Sequence, residues 1–236
     1  MLSAELTSIL DVSNASEYLA AAVSFARRSG FDKIAATAVL DSPDGKAQFN
    51  WVDNAPDAYR ETAEYSDSRD PVSQHCKKSA LPIVWNQQTY VSSGQAAKWE
   101  VQARFGYAFG VAHALHLPNG RHFFIGIDRD QPLPNDAATV TRIAADLQLF
   151  AVFAQEAAFR LLFTTTSTSA DLPNLTVREL ESLRWTIEGK TAWELGRILG
   201  ISEQTAARHV NNAMHKLGCV SKHQAAVRAL RLGLIR

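Results

Sequence analysis

Roughly the last sixty residues of the chain carry apolar positions at helical spacing, divided into four segments by short turn sequences. Thr176 with Glu179 forms a capping-box pair before the first segment. Between the second and third segments, Gly200 permits a left-handed turn and Ser202 can cap the helix that follows. Two helices joined this closely predict a helix-turn-helix in a small all-α domain of four helices. The four segments are 176–189, 192–199, 203–217 and 222–232.

Charge is distributed unevenly along a chain whose formal net charge is zero. Residues 176–236 contain ten Lys and Arg against five Glu, whereas residues 1–175 contain 14 Lys and Arg against 19 Asp and Glu. Every charged residue after Glu203 is basic. A basic carboxyl-terminal segment on a neutral protein predicts a polyanionic partner, with nucleic acid preferred over a membrane.

A polar segment separates this region from the rest of the chain. Residues 164–172 are rich in Thr and Ser and have no hydrophobic period, which predicts a linker. Before it, residues 135–163 repeat apolar positions at helical spacing and predict a long helix. We therefore expect domains at 1–163 and 173–236.

The amino-terminal part predicts an α/β/α sandwich on an antiparallel sheet. Two pairs of alternating segments are joined by turn sequences and indicate β-hairpins. Helical patterns lie before, between and after them, so helices must cover the sheet. The whole chain is thus predicted to be α+β. The hairpin strands are 31–40 with 47–52 and 109–117 with 121–128, and the helices are 18–28, 56–65, 70–79 and 95–105.

Composition excludes several classes of protein. The chain has 236 residues, of which 46% are hydrophobic and 20% charged, as is typical of a water-soluble globular protein. It shows neither signal-peptide features nor an apolar run near the roughly 18 residues of a spanning helix, so we expect a cytoplasmic protein with no membrane partner. Only two cysteines are present, which predicts no disulfide framework.

Enzymatic and metal chemistry have little support in the sequence. We find neither a Gly-rich phosphate loop nor a Ser-His-Asp order, so we expect no enzyme and no catalytic residues. His113 and His116 are three apart on a predicted strand and point to opposite faces, which disfavours a metal site with His122. We therefore expect no metal and no cofactor other than a signal molecule.

The carboxyl-terminal region strongly resembles the LuxR-type DNA-binding domain over about sixty residues. The matching positions are Leu175-Thr176-x-Arg178-Glu179, Leu183, Trp185, Glu188-Gly189-Lys190-Thr191, Glu194-Leu195, Ile198-Leu199, Ile201-Ser202, Thr205, His209-Val210-Asn211-Asn212, Lys216-Leu217 and Ser221-Lys222.

The third helix of this domain is expected to read DNA. Gln204, Arg208 and Asn211 are three to four apart, share one helical face and are candidates for base contacts in the major groove. Thr205 is a candidate for either base or phosphate contact. The alternative is that the basic helix is only a solvated face. Four further residues at helix ends or flanks are candidates for phosphate contacts that fix the register: Lys190, Thr191, Lys216 and Lys222.

A second set of motifs lies in the amino-terminal region: Asn54-x-Pro56, Asp70-Pro71-Val72, Pro82-x-x-Trp85, Trp99-Glu100, Phe105-Gly106 and Gly110. Through these motifs the region is similar to the autoinducer-binding domain of quorum-sensing LuxR proteins. The resemblance covers most of residues 1–163 in layout. A phosphate-accepting receiver is excluded because the predicted hairpins do not form alternating parallel strands and helices.

This resemblance implies a ligand pocket. Asp70 would accept a hydrogen bond from the ligand amide, and Trp85 would form a wall at the lactone end. Trp99 and Gly110 belong to the same set of matching residues. Two simpler interpretations remain: Asp70 could only cap a helix, and Trp85 could only belong to the core.

Three departures from the family pattern predict a roomier and less polar pocket. Tyr59 stands where the family usually has a tryptophan that hydrogen-bonds the lactone carbonyl, and its hydroxyl still provides a donor. Ala63 replaces the tyrosine that follows, which would enlarge the pocket. Gly126 stands where a serine or threonine commonly contacts the acyl group. The pocket could then accept a longer, branched or aromatic acyl chain, or a ligand that is not a homoserine lactone.

Together these features predict a quorum-sensing transcription regulator that binds an acyl-homoserine lactone or related amphipathic signal. As a homodimer it would bind a palindromic operator on double-stranded DNA, with RNA polymerase as a further candidate partner. The alternatives are a regulator that responds to no lactone, or to no ligand, and an anti-activator that forms mixed dimers.

Overall fold

The computed structural model describes residues 4–41, 47–63, 65, 69–163 and 174–235. The chain divides into two compact units, and among the described residues one, the amino-terminal unit, contains 4–117 and 121–163 and the other, the carboxyl-terminal unit, contains 118–120 and 174–235. The linker predicted at 164–172 lies outside the described residues, so the predicted domain boundaries remain a prediction.

A five-stranded antiparallel sheet forms the centre of the amino-terminal unit, with strand order β2-β1-β5-β4-β3. Both predicted hairpins are present, and β1 and β5 pair in the middle of the sheet. The strands are β1 (Lys33–Asp41), β2 (Ala47–Asp53), β3 (Ile83–Trp85), β4 (Phe109–Leu117) and β5 (Arg121–Arg129).

Seven helices of the described residues belong to this unit, together with a 3-10 turn at Ser8–Leu10. Asn14 caps α2 by accepting a hydrogen bond from the Glu17 backbone. The prediction of one helix over 56–65 was too long, because the described helix there is a single turn. The helices are α1 (Ala4–Thr7), α2 (Ala15–Arg28), α3 (Asp57–Arg60), α4 (Pro71–Lys78), α5 (Gln87–Ser92), α6 (Ala96–Ala103) and α7 (Ala137–Leu162).

The main hydrophobic core lies between one face of the sheet and the helices α2 and α7. Phe25 of α2 stacks on Phe150 of α7 with ring centroids 4.0 Å apart. Phe123, Ile125 and Ile127 alternate along β5 and enter this core. The residues between them, including Phe124 and Gly126, therefore point to the opposite face, where α3 to α6 pack.

Helix α7 combines length with an apolar composition. Its 26 residues would suffice to cross a bilayer by length and composition, a test that core helices of soluble proteins also pass. Asp136 caps its first turn. Leu147, Ala154 and Ala158 are buried, whereas Leu149 and Val152 lie on the exposed side. The helix thus has one face in the core and, among polar residues on its outer side, two large apolar side chains.

His113 is buried in the main core, where its protonated form is disfavoured. Its side chain is 1% exposed, and within the described residues neither ring nitrogen has a hydrogen-bond partner. Burial lowers the pKa of His113 below the ordinary histidine value, and His116 acts in the same direction. An unpaired buried polar group typically costs about 1–3 kcal/mol.

We expect His113→Leu to raise the stability of the amino-terminal unit by about 1 kcal/mol at neutral pH because it removes this penalty. Between the lowered folded pKa and the unfolded value near ~6.5, the unfolded chain binds more protons, so wild-type stability falls as pH falls through that range. The His113→Leu variant should lose less stability over the same pH range. Thermal unfolding at pH 7.5 and 5.5 tests this, with the exposed His223→Leu as control; equal pH dependence of His113→Leu and wild type would contradict it.

The carboxyl-terminal unit contains four helices, as predicted. Leu183, Ala213, Leu217 and Ala226 form the centre of its core. The predicted capping box of Thr176 with Glu179 is present, and Thr191 forms a second one with Glu194. The helices are α8 (Val177–Ile187), α9 (Ala192–Leu199), α10 (Glu203–Lys216) and α11 (Lys222–Arg231).

Candidate functional site

Asp70 is both a helix cap and a member of a buried polar group. Its Oδ1 accepts a hydrogen bond from the Ser73 backbone at 2.8 Å, which caps α4. Its Oδ2 accepts one from the Tyr90 hydroxyl at 2.9 Å and lies 3.7 Å from the Lys98 ammonium. The side chains of Asp70 and Lys98 are 14% and 5% exposed. The capping interpretation is therefore correct for one oxygen, while the second faces the interior.

Lys98 and Gln102 complete this group, which we call the polar cluster: Asp70, Tyr90, Lys98 and Gln102. Both lie on α6 four residues apart and are buried. The Gln102 side chain hydrogen-bonds the Tyr90 hydroxyl. Burial, followed by the charge of Asp70, raises the pKa of Tyr90 far above that of a free tyrosine, so its hydroxyl stays protonated. The cluster thus offers a carboxylate acceptor beside ammonium and amide donors, while the Tyr90 hydroxyl donates its hydrogen to Asp70.

An aromatic cluster adjoins the polar cluster. It contains Tyr59, 6% exposed, whose ring lies 5.2 Å from that of Phe105 and 4.8 Å from that of Tyr107. Aromatic pairs at these distances add to the burial of apolar area. The cluster comprises Ala55, Tyr59, Trp85, Tyr90 and Tyr107, with Tyr65, Val72, Ile83, Trp99 and Phe105 packed against them.

Asp53 anchors one side of the aromatic cluster. Its carboxylate accepts hydrogen bonds from the Tyr65 hydroxyl and, at 2.6 Å, from the Arg60 guanidinium. Burial alone would raise the pKa of Asp53, but the Tyr65 and Arg60 hydrogen bonds lower it overall. Burial and the same contact raise the pKa of Tyr65 to about 12. These bonds attach the end of β2 to the turn after α3.

Trp85 and Gly110 meet Asp128 across three neighbouring strands. Trp85 pairs with Gly110, and Gly110 pairs with Asp128. The Trp85 indole N–H donates a hydrogen bond to the Asp128 carboxylate. A Cβ atom on Gly110 would lie 2.6 Å from Trp85 Nε1 and closer still to Asp128. Only glycine leaves room for this contact.

The remaining predicted ligand residues lie in different surroundings. The Trp99 indole donates to the Ala108 carbonyl at 3.0 Å and packs against the aromatic cluster. Gly126 pairs with Ala35 and Ala112, which makes a row of small residues across three strands. Ala63 is exposed in the turn after α3 and does not belong to the aromatic cluster. Its predicted effect on pocket size stays a prediction.

Two surface cavities of the described residues lie away from the aromatic cluster. The larger, of about 540 Å³, is lined by residues of α2 such as Leu19 and Arg27. The smaller, of about 340 Å³, lies in the carboxyl-terminal unit. The aromatic side chains pack closely against one another, and the roomy pocket expected from the sequence stays a prediction.

Sequence reasoning missed Tyr90, Lys98, Gln102, Tyr107 and Asp128. A lysine and a glutamine four apart on a helix are usually found on a solvated face. Asp128 shares a face with Phe124 and Gly126 by alternation, which was the only signal available for it. The cluster forms from separate helices and strands, so no local spacing predicts it.

The helix-turn-helix has the predicted geometry. Gly200 ends α9 in the left-handed region with φ 67°, and Ser202 caps α10 by accepting a hydrogen bond from the Thr205 backbone. The turn is tight, because a Cβ on Gly196 would lie 2.8 Å from the Ile201 carbonyl. Ala206 and Val210 bury the inner face of α10 against α9.

The candidate base-reading residues share the outer face of α10. Gln204, Arg208 and Asn211 are exposed. Thr205 is half-buried, and its hydroxyl forms a hydrogen bond of 2.8 Å with that of Ser202. This arrangement presents two amides and one guanidinium along one side of the helix, the donor and acceptor types that pair with base edges.

The four candidate phosphate-contact residues have different surroundings. Lys190 and Lys222 line the cavity of about 340 Å³ together with Asn211, whereas Thr191 is part of its capping box. Lys216 contacts its own domain: its ammonium lies 2.8 Å from the Glu179 carboxylate and 3.0 Å from the Asn174 carbonyl.

Comparison with protein families matches both units. Residues 14–158 match the autoinducer binding domain, and residues 173–229 match the luxR family of bacterial regulatory proteins.

Relatives are similar along nearly the whole chain. The transcriptional activator protein AnoR of Acinetobacter nosocomialis is 31% identical over 98% of this chain and 97% of its own length. The transcriptional activator protein SolR of Ralstonia nicotianae is 31% identical over 90% of this chain and 89% of its own length.

Solved structures agree with these relatives. SdiA of Escherichia coli has a TM-score of 0.70 at 27% identity and covers 97% of this chain and 94% of its own. SdiA in complex with octanoyl-rac-glycerol has a TM-score of 0.70 at 26% identity, over 98% and 93% of the two chains. The chain therefore belongs to the LuxR family of quorum-sensing transcription regulators, with an autoinducer-binding domain and a helix-turn-helix DNA-binding domain.

Proposed function

We propose that an amphipathic signal molecule binds at the polar and aromatic clusters and thereby controls the binding of a palindromic DNA operator by a homodimer. The observation that carries this proposal is that the two carboxylate oxygens of Asp70 have different partners: Oδ1 caps α4, and Oδ2 contacts Tyr90 and Lys98. A residue needed only as a helix cap would not require a second carboxylate oxygen directed at a buried tyrosine and lysine, because burial of such groups is unfavourable.

The signal is an acyl-homoserine lactone or a molecule with a related acylated polar head. An amide or hydroxyl donor on the head would bind Asp70, and a carbonyl acceptor would be within reach of the donors of the polar cluster. The acyl chain would lie along the row of small residues at Gly126. An acylglycerol is a candidate because a structure of the similar protein SdiA is described with octanoyl-rac-glycerol.

DNA recognition is assigned to the outer face of α10. Gln204, Arg208 and Asn211 would contact base edges in the major groove, with Thr205 at the start of the helix. Lys190, Thr191 and Lys222 would bind phosphates and fix the register. Because the cavity that Lys190 and Lys222 line also includes Asn211, phosphate and base contacts would be continuous on the surface.

A homodimer matches the two halves of a palindromic operator. The outer side of α7, with Leu149 37% and Val152 47% exposed, supports one dimer surface. Such a dimer would act in the cytoplasm and would place RNA polymerase beside the bound operator.

Thermal unfolding with a panel of acylated ligands tests the ligand site. At a free ligand concentration a hundred times the dissociation constant, the wild type should gain about 2.7 kcal/mol, which for a chain of this length is several degrees. Asp70→Asn keeps a side chain that caps α4 but removes the carboxylate, so we expect it to abolish the gain for the ligand that stabilises wild type.

Asp136→Asn is the matched control, because Asp136 caps α7 in the same way but lies outside the polar cluster. It should retain the full ligand-induced shift. An equal shift in wild type and Asp70→Asn would contradict the assignment of Asp70 as the ligand acceptor.

A regulator that needs no ligand is the second candidate. It is favoured by the close packing of the aromatic cluster, in which Tyr59, Trp85 and Tyr90 are all less than 7% exposed. This candidate predicts that no member of the panel shifts the unfolding of wild type, although the protein binds DNA.

A further inference from the structure

The tryptophans of the ligand site have their indole donors satisfied by the protein. Trp85 donates to the Asp128 carboxylate, and Trp99 donates to the Ala108 carbonyl at 3.0 Å. An indole has one N–H donor and no acceptor. In this conformation neither ring therefore has an N–H available for a ligand carbonyl, and each can contact a ligand only through its apolar surface.

The bond from Trp85 to Asp128 is built into the sheet. The two residues flank Gly110 on neighbouring strands, and the glycine leaves the space through which the bond runs. Trp85 and Asp128 are 3% and 7% exposed. Loss of a hydrogen bond between two groups this deeply buried would leave a donor unpaired, so the structure strongly favours the observed ring orientation.

Asp128 also lies close to the polar cluster. Burial, followed by the nearby Asp70 carboxylate, raises its pKa well above the ordinary value, while the Trp85 N–H acts in the opposite direction. A carboxyl group retains an acceptor oxygen in both protonation states. The bond from Trp85 can therefore persist whichever state Asp128 adopts.

On the basis of the proposed function, we propose that Asp128 is a positioning residue that determines head-group specificity by holding the Trp85 indole and withdrawing its N–H from the ligand. The head group is then recognised by the polar cluster and not by the Trp85 N–H. Asp70 accepts a hydrogen bond from a donor on the ligand, and the Lys98 ammonium favours an acceptor beside that donor.

The ligand class that meets these demands is an acylated head with a donor and an acceptor and no net charge, such as an amide or a glycerol ester. A fatty acid carboxylate has no donor for Asp70 and adds a second negative charge beside it, which is unfavourable in a buried site. We therefore expect the site to select against free fatty acids of the same chain length.

Indole ¹⁵N–¹H NMR spectra of the full chain test the positioning step without any ligand. The sequence has five tryptophans, and the Trp85 signal is identified by its absence from Trp85→Phe. In wild type we expect slow hydrogen exchange at this indole. Asp128→Leu removes the acceptor and should shift the signal and speed its exchange, whereas Asp128→Asn retains an acceptor oxygen and should preserve both. An unchanged Trp85 signal in Asp128→Leu would overturn the proposal.

Ligand affinities test the specificity step. Three probes of equal chain length are compared: an N-acyl-homoserine lactone, a 1-monoacylglycerol and the free fatty acid. Wild type and Asp128→Asn should prefer either uncharged probe to the fatty acid. In Asp128→Leu the freed N–H can donate to a carboxylate, and the preference should fall about tenfold, the effect of one hydrogen bond to a charged group.

Failure of this inference and failure of the proposed function have different outcomes. If wild type binds an uncharged probe but Asp128→Leu leaves the preference unchanged, the specificity role of Asp128 is wrong and the proposed function stands. If wild type binds none of the probes, the proposed ligand site fails, and the specificity role fails with it.

Discussion

Replacement of Gly110 by alanine is expected to lower the melting temperature of the amino-terminal unit by roughly 5–10 °C. The added Cβ would lie 2.6 Å from Trp85 Nε1, a distance that real Cβ contacts essentially never show, and closer still to the Asp128 carboxylate. Because both neighbours are buried, neither can move into solvent. Overpacking of this kind typically costs about 1–3 kcal/mol, and loss of the buried hydrogen bond would add to it.

Gly126→Ala is the matched control for this prediction. Gly126 lies on the strand next to Gly110, but a Cβ there would meet Ala112 Cβ at 3.6 Å and the Val111 carbonyl at 3.8 Å, which are ordinary contacts. Alanine should therefore be tolerated with little change in melting temperature. Differential scanning calorimetry of both variants measures the difference. Equal effects of the two substitutions would show that the bond from Trp85 to Asp128 does not require a glycine.

The second large effect is expected for Lys216→Met. The Lys216 ammonium pairs with Glu179, whose side chain is only 3% exposed. Removing one partner of a fully buried pair typically costs about 3–5 kcal/mol, but Lys216 is 37% exposed and water partly replaces it. We expect a loss of about 2 kcal/mol in the carboxyl-terminal unit at neutral pH.

The pH dependence of this loss follows from Glu179. Burial alone would raise its pKa, but the bonds from Lys216 and the Thr176 backbone lower it overall. A lowered folded pKa contributes stability that is present above the unfolded value near ~4.3 and is lost as pH falls through the folded pKa. The difference between wild type and Lys216→Met should therefore narrow in acid.

DNA binding separates a structural role of Lys216 from its predicted role in phosphate contact. Lys222→Met is the matched control, because Lys222 lines the cavity beside Lys190 and Asn211, and no ion pair is recorded for it in the described residues. The Lys222→Met variant should leave stability unchanged and should reduce the salt dependence of DNA affinity by about one phosphate contact. If Lys216→Met shows that same pattern without loss of stability, Lys216 is mainly a phosphate contact.

Local signals explain why the DNA-binding domain was predicted accurately. Capping boxes at Thr176 and Thr191, and the glycine in the turn at Gly200, act within a few residues of one another. Both hairpins were found for the same reason, because a turn sequence fixes the pairing of adjacent strands. By contrast, β3 has three residues, too few to show alternation, and its partner β4 lies more than twenty residues further along the chain.

The ligand site was only partly predictable because it depends on contacts between distant elements. Asp70 and Trp85 were found by family resemblance, but their partners Lys98 and Asp128 carry no local signal. The ion-pair partner of Lys216 also carries no local signal. Lys216 was predicted to contact phosphate from its position at a helix end. Its pairing with Glu179, 37 residues earlier, depends on the packing of α8 against α10.

Selection of duplexes from a randomised DNA pool by the full chain tests most directly whether a signal at Asp70 controls DNA recognition. The selection is made with and without the ligand that most raises the melting temperature of wild type, and is repeated with Asp70→Asn. We expect one enriched sequence with two-fold symmetry, recovered to different extents with and without ligand in wild type but equally in Asp70→Asn. Enrichment of no sequence, or equal recovery from wild type in both conditions, would contradict a ligand-controlled DNA-binding regulator.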